Sequence, residues 1–389
     1  MDISRNRLRS LAGAGTIAAT LALGLTAAPA APAAPQAAKP AAPAAKTGPQ
    51  AAQAPAGSPV AINGQLTVCG TKLCNQYGKP IQLRGMSTHG IGWFPNCYTN
   101  GSLNVLANDW KADVLRVSLY IESANYGYLR DPVAYTNQVH DLIEKASARG
   151  MYVIVDWHLL GDGNPATYGD SDPWTHIASA KRFFKDIAER HKNKNNVIYE
   201  IANEPNGTNW QGQRVDWWTI KSYAEDLIPY IRQFDADAPV LVGTPDWASF
   251  GVSSSSGQFN ETEVANNPLQ IPNIMYTFHF YAASHGQNYL DALSRAADRI
   301  PVFVSEFGTQ NHLGEGSNNF PMTQSYLNLM ATKKISWVNW NYSDDHRSGA
   351  AFKTGTCAAG GPVAGTSSLK EAGIWIRDKI RTPDNFPTV

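Results

Sequence analysis

Charge is scarce in this chain. Only 16% of its 389 residues are Asp, Glu, Lys or Arg, with 32 acids against 32 Lys and Arg. The first 57 residues hold five of the bases and one of the acids, so the remainder has 27 bases and 31 acids, a net of −4. No basic stripe is left, which excludes a nucleic-acid partner. Long apolar runs are also missing. The run at 11–25 is shorter than a bilayer span and no stop-transfer pattern follows it, so no membrane anchor is expected. There is no Walker pattern and no Gly-x-Ser-x-Gly elbow. The first strand-like run ends in Gly85-Met86-Ser87-Thr88-His89, which is neither a dinucleotide turn nor a His-x-His metal pair. No metal and no organic cofactor is expected.

Cysteine is limited to Cys69, Cys74, Cys97 and Cys357. No histidine stands at ligand spacing around them, which argues against zinc. An even count in a secreted chain permits two disulfides, and three pairings are open. Cys69 and Cys74 flank a stretch of hairpin length, which suits a local pair and leaves Cys97 for Cys357. Secretion itself is read from the N-terminus. Arg5, Arg7 and Arg9 precede the apolar run, and small residues follow with cleavage options around Thr26 to Ala31. The expected organisation is a leader over 1–31, an Ala/Pro-rich linker over 32–58 and one catalytic domain over 59–389.

Aromatic rings are plentiful, with 11 Trp, 16 Tyr and 13 Phe. So are short β-branched runs, at 81–87, 114–120, 152–158, 197–204, 240–243, 274–281, 302–307 and 337–342. Helical stretches separate or follow them at 132–149, 173–191, 217–234, 289–299, 322–332 and 369–377. The strands are apolar throughout rather than alternating, as in a parallel sheet covered on both faces. Eight such units predict a closed (β/α)8 barrel, a TIM barrel, with a short N-terminal β-hairpin over 69–80 capping its bottom. The stretch from His140 to Glu144 reads as a solvated helix face. The loop acids Asp162, Asp170 and Asp172 follow no complete calcium loop.

Polar residues interrupt these runs at their C-terminal ends. Arg116 and Tyr120 close the second, His158 the third, Asn203 and Glu204 the fourth, His279 and Tyr281 the sixth, Glu306 the seventh and Trp340 the eighth. In a parallel barrel those ends share one mouth, where active sites sit. Glu204 and Glu306 then oppose each other, the arrangement that glycosidic bond cleavage requires. Arg116 and Tyr281 are placed to hold Glu306 ionised, while an apolar setting raises Glu204 and keeps its proton. His158 and His279 are expected to bond sugar hydroxyls or to position Glu204. Trp340 offers a flat wall for a sugar ring.

The segment Val197-Ile-Tyr-Glu-Ile-Ala-Asn203-Glu204-Pro205-Asn206 resembles the signature of glycoside hydrolase family 5 (cellulase family A). Arg84 to Gly90 followed by Trp93 is similar to its bacterial endoglucanase branch. The resemblance runs from about residue 66 to 377. It implies a retaining endo-β-1,4-glucanase with Glu204 as acid/base and Glu306 as nucleophile. Arg116, His158, Asn203, His279, Tyr281 and Trp340 would support them, Asn203 by binding the 2-hydroxyl. His89, Trp93 and Tyr120 would line the non-reducing side, and Trp247 the reducing side. Where that branch often carries a lysine, this chain has Asp345, which should alter binding of a distal sugar. The expected partner is a β-glucan, and a monomer is expected. The rival readings are a mannanase, xyloglucanase or mixed-linkage glucanase on the same barrel, or a non-catalytic polysaccharide-binding barrel.

Overall fold

The computed structural model describes residues 54–121, 126–160, 163–166, 176–208, 212–254, 256–383 and 386–387. The expected leader, the linker as far as 53, and Asp162, Asp170 and Asp172 lie outside them. So do the first residues of the helix expected from 173.

Two antiparallel strands, β1 (Thr67–Cys69) and β2 (Lys72–Cys74), form the expected hairpin. Eight parallel strands then close into a ring: β3 (Arg84–Ser87), β4 (Val114–Tyr120), β5 (Tyr152–His158), β6 (Val197–Glu200), β7 (Val240–Val242), β8 (Ile274–Tyr281), β9 (Val302–Gly308) and β10 (Trp337–Trp340), with β10 pairing back onto β3. The six expected helices are found as Pro132–Ser147, His176–His191, Trp217–Arg232, Gln287–Ala297, Phe320–Lys333 and Glu371–Ile380. Their starts follow local chemistry. Asp131 accepts from Ala134 N with Pro132 in the first turn, and Asp216 accepts from Thr219 N.

Apolar residues collect in two places. One cluster fills the space between barrel and helices. The other lies inside the barrel's lower end, where Tyr152, Ile154, Ile198, Leu241, Met275, Phe303 and Val338 meet Leu66, Leu73 and Leu83 of the N-terminal segment. The hairpin therefore closes the barrel floor, together with a one-turn helix at Pro59–Asn63 capped by Ser58. Residues 54–58, the end of the expected linker, already belong to this plug, since Ala54 packs against the lower cluster.

Three strands are shorter than their apolar runs suggest. β3 starts at Arg84 and β10 ends at Trp340. β6 ends at Glu200, so Glu204 stands on the loop beyond it. Several short helical segments were not legible, among them Pro59–Asn63 and Thr262–Ala265. Between β3 and β4 a turn of helix at Asn100–Asn104 runs into a wider π-turn at Val105–Asp109. Of the expected solvated face, Asp141 and Glu144 are exposed but His140 is buried. His140 Nδ1 lies 2.8 Å from His191 Nε2 of the next helix, a hydrogen bond between two imidazoles across a packed interface.

Both disulfides are present, Cys69–Cys74 within the hairpin and Cys97–Cys357 between the loops that follow β3 and β10. On chain-entropy scaling, closing the long loop is worth roughly 5 kcal/mol and the short one roughly 2 kcal/mol. Replacing both Cys97 and Cys357 by serine should therefore lower the melting temperature by several degrees, and more than the same change at Cys69 and Cys74. Thermal unfolding of the two double variants checks this order.

Candidate active site

The upper end of the barrel opens into a cleft of about 1010 Å³. Glu204 and Glu306 lie at its floor, with Tyr120, His158, His279 and Tyr281 around them and Trp340 as one wall. His89, Trp93 and Asp345 line one end of the cleft, and Trp247 lines it further along. Arg116 and Asn203 stand beneath, fully buried. Every residue expected at the site is thus brought to one place.

Glu204 owes its position to several backbone contacts. After β6 the chain turns inward. Asn203 N donates to Trp157 O at 3.1 Å and Glu204 N to Leu159 O at 3.3 Å. Gly243 lets β7's end approach closely: a Cβ there would stand 2.3 Å from Ala202 O and 2.6 Å from the Pro205 ring. Glu306 comes directly from β9, which is buried along its whole length.

Arg116 is the hub. Its Nη1 donates to Glu306 Oε2 at 3.0 Å, its Nε to Glu200 Oε2 at 2.7 Å and its Nη2 to Asn203 Oδ1 at 2.6 Å. Nη2 also lies 3.0 Å from Asp156 Oδ2. The Tyr281 hydroxyl donates to Glu306 Oε1 at 2.6 Å. Glu306 thus receives two strong donors. Glu204 has one close partner, His279, whose Nδ1 lies 2.9 Å from Glu204 Oε1. His158 does not reach Glu204. Its Nδ1 is 2.7 Å from Asp156 Oδ2, its Nε2 is 3.4 Å from Asn203 Nδ2, and its ring stacks against Trp340.

An oxygen of Glu204, an oxygen of Glu306 and a ring nitrogen of His279 all lie within 4.8 Å of one another. Among the described residues, the other cluster that could present three metal-type ligands is Cys97, Asp344 and Cys357, whose sulfurs are joined to each other. Burial pushes Glu204 up; Arg116 opposes it and Asp156 and Glu200 add to it, leaving the carboxyl at about 8. Burial and the charge of Glu204 also push Glu306 up, against His279, Arg116 and His158. His279, desolvated by burial, falls to about 4 and is neutral at pH 7. If Glu204 must carry a proton, kcat/KM should fall with a one-proton slope above about pH 8. A pH–rate profile on a soluble oligosaccharide measures that limb.

Several contributors were not anticipated. Glu200, Asp156 and Ser305 complete the polar floor beneath Arg116 and His279. Their signal was present as polar residues inside apolar strands. Phe94, Leu160, Ser253, His285, His312, Leu313 and Arg347 extend the cleft from loops that carry no periodic pattern, and Tyr289 does so from the first turn of the helix Gln287–Ala297. Asp345 is buried, 3.9 Å from His89 Nε2 and 3.3 Å from Arg347 Nη1. Burial pushes Asp345 up, but His89 and Arg347 outweigh it and the carboxyl stays ionised. A cation therefore does reach this end of the cleft, from position 347.

Trp247 sits on an unusual backbone. Asp246, Trp247 and Ala248 all adopt positive φ, at 55°, 59° and 53°, a conformation that is costly for side chains with a Cβ. Arg214 secures the turn. Its Nε donates to Asp246 Oδ2 at 2.8 Å, its Nη1 to Glu263 Oε1 at 3.1 Å, and its guanidinium lies 3.7 Å over the Phe259 ring.

A closed (β/α)8 barrel with two opposed glutamates at the C-terminal ends of its strands defines the class of barrel glycoside hydrolases. The comparisons with known proteins are narrower. A model of the family described as Cellulase (glycosyl hydrolase family 5) matches residues 74–346. Endoglucanase E-5 of Thermobifida fusca is 53% identical over 330 residues, covering 85% of this chain and 66% of its own length. Endoglucanase MaCel5A of Microbulbifer sp. is 51% identical, covering 83% of this chain and 59% of its own. The chain thus spans about two thirds or less of those relatives. The crystal structure of the Thermobifida fusca endoglucanase Cel5A catalytic domain superposes with a TM-score of 0.76 at 53% identity, covering 84% of this chain and 100% of that one. A variant of the same domain was solved in complex with cellotetraose. This chain belongs to glycosyl hydrolase family 5. Among the described residues, no helix is long and apolar enough to cross a membrane.

Proposed function

We propose that the protein is a secreted, retaining endo-β-1,4-glucanase. The observation that carries this is the approach of the two carboxylates. Oxygens of Glu204 and Glu306 lie within 4.8 Å across the cleft floor. Retaining glycosidases hold their carboxyls about 5–5.5 Å apart, and inverting ones at about 6.5–9.5 Å to admit a water.

Glu306 is the nucleophile. Arg116 and Tyr281 hold both its oxygens, so of the pair it is the member that carries the charge. Its oxygen attacks the anomeric carbon as Glu204 protonates the departing glycosidic oxygen, and the C–O bond breaks. A glycosyl ester on Glu306 results. Water then attacks the same carbon and gives its proton to Glu204, and Glu306 leaves. Two inversions leave the configuration unchanged. Asn203, bonded to Arg116, is the group that binds the 2-hydroxyl. His89, Trp93, Tyr120 and Trp340 stack and bond the sugars on the non-reducing side, and Trp247 serves the leaving side. An open cleft suits attack within a polymer, and the leader pattern over 1–31 supports export. The relatives named endoglucanases and the cellotetraose complex support glucan as the substrate class.

Proton NMR during hydrolysis of cellotetraose tests the reading. The β-anomer should appear first, with the α-anomer following only by mutarotation. First appearance of the α-anomer would reverse the mechanism. Faster release of reducing ends from mannan than from carboxymethylcellulose would reverse the substrate.

A further inference from the structure

Few large aromatic rings are left uncovered. Among the described residues the exposed ones are Tyr77, Tyr126, Trp218, Trp247 and Phe259. A single exposed ring needs no explanation, but three of these five belong to one patch. Trp247 lines the cleft. Phe259 and Trp218 lie beyond it, and the reaction above uses neither.

The patch forms where the loop after β6 meets the loop after β7. Arg214, on the first loop, donates from Nε to Asp246 Oδ2 at 2.8 Å, next to Trp247. Its Nη1 and Nη2 each donate to an oxygen of Glu263 at 3.1 Å. The same guanidinium covers one face of the Phe259 ring, so the exposed side of that ring is the opposite one. Gly251 lets the Trp247 turn close onto Phe259: a Cβ there would stand 2.6 Å from Phe259 Cβ. Glu263 Oε1 also accepts from Trp217 N at 3.0 Å. Trp217 is buried and its Nε1 donates to Asn267 O at 2.9 Å, which anchors the first turn of the helix Trp217–Arg232. Trp218 follows about 100° further round that turn and is 56% exposed. The helix follows a barrel strand, so its first turn stands on the mouth side.

We propose that Phe259 and Trp218 continue the leaving side of the cleft past Trp247, as a track for the reducing-end portion of a long β-glucan chain. The inference rests on the glucanase reading and on Trp247 marking the leaving side. Continuity with the cleft names the occupant, because a chain that passes Trp247 meets this patch next. The charges at the base of the patch cancel, Arg214 and Lys221 against Asp246 and Glu263. A neutral surface bearing flat rings suits a neutral polymer whose sugars present apolar faces. The track takes no part in bond cleavage. It sets the register, by favouring positions in which more of the chain lies on the leaving side of Glu204 and Glu306.

Trp218→Ala and Phe259→Leu test this, the second keeping an apolar side chain against Arg214. Both should melt like the wild type and cleave a dinitrophenyl cellobioside at its rate, because that substrate ends close to the cleavage point. On carboxymethylcellulose KM should rise by about 3- to 10-fold with kcat nearly unchanged. Cellohexaose labelled with oxygen-18 at its reducing end reads the register. In the variants the labelled products should shift toward shorter fragments, a change that a general loss of activity would not produce. An unchanged KM and label pattern in both variants would overturn the inference. So would a shift toward longer labelled fragments, which puts the patch on the other side, or an equal loss of rate on the cellobioside, which makes the rings structural. Self-association of the wild type in sedimentation that Trp218→Ala abolishes, with the label pattern unchanged, would give the patch to a second copy and overturn it too. Absence of glucan turnover in the wild type would remove the glucanase reading and the occupant together.

Discussion

Glu306→Gln is expected to abolish turnover of β-1,4-glucan almost completely, by roughly 10⁴–10⁶-fold in kcat. The amide has the shape of the carboxylate but cannot attack an anomeric carbon. Folding should survive, because Arg116 keeps Glu200 and Asp156 as partners at 2.7 and 3.0 Å and is not left as an unpaired buried charge. The variant should therefore bind cello-oligosaccharides without cleaving them, which calorimetry can record. In the wild type, a 2-deoxy-2-fluoro cellobioside should leave one disaccharide on the peptide that contains Glu306. A label on Glu204, or full activity of the glutamine variant, would exchange the roles or remove them.

Glu204→Gln has a different signature. Removing a general acid costs roughly 10²–10⁴-fold on substrates with poor leaving groups. A dinitrophenyl cellobioside needs no protonation to depart, so its first step should be nearly spared and the glycosyl-enzyme should accumulate. Azide should then rescue turnover and give the β-glycosyl azide. The alkaline limb near pH 8 should vanish with the group that causes it. Retention of that limb in the variant would assign it to another residue.

Much of this site is written in the chain because barrel topology converts strand ends into neighbours. Arg116, His158, His279 and Glu306 all lie on strands whose bounds match their apolar runs closely. Glu204 was found for a related reason, although β6 stops at Glu200 and the rest of its run leaves the ladder. The loop stays hydrogen-bonded to the end of β5, Asn203 N to Trp157 O, and so still delivers Glu204 to the mouth. The floor was harder to read. Glu200 and Ser305 lie inside their apolar runs, where one polar residue looks like an interruption, and only the folded ring shows that Ser305 bonds both Glu200 and His279. His140 was misread for the opposite reason. It lies beside the exposed Asp141 and Glu144, and nothing local says that His191 of the next helix will cover it. Arg347 and His285 escaped because their loops are irregular and reach the cleft only through tertiary contacts.

The turn that carries Trp247 has a consequence for how a polymer is received. Three successive left-handed residues, tied down by Arg214, fix the backbone that carries the indole, and 43% of that residue is exposed. On the proposed reading of Trp247, a sugar arriving on that side would meet a shelf already in place. The loss of motion that a swinging indole would suffer on contact has been settled during folding, so more of the stacking energy goes into holding the chain.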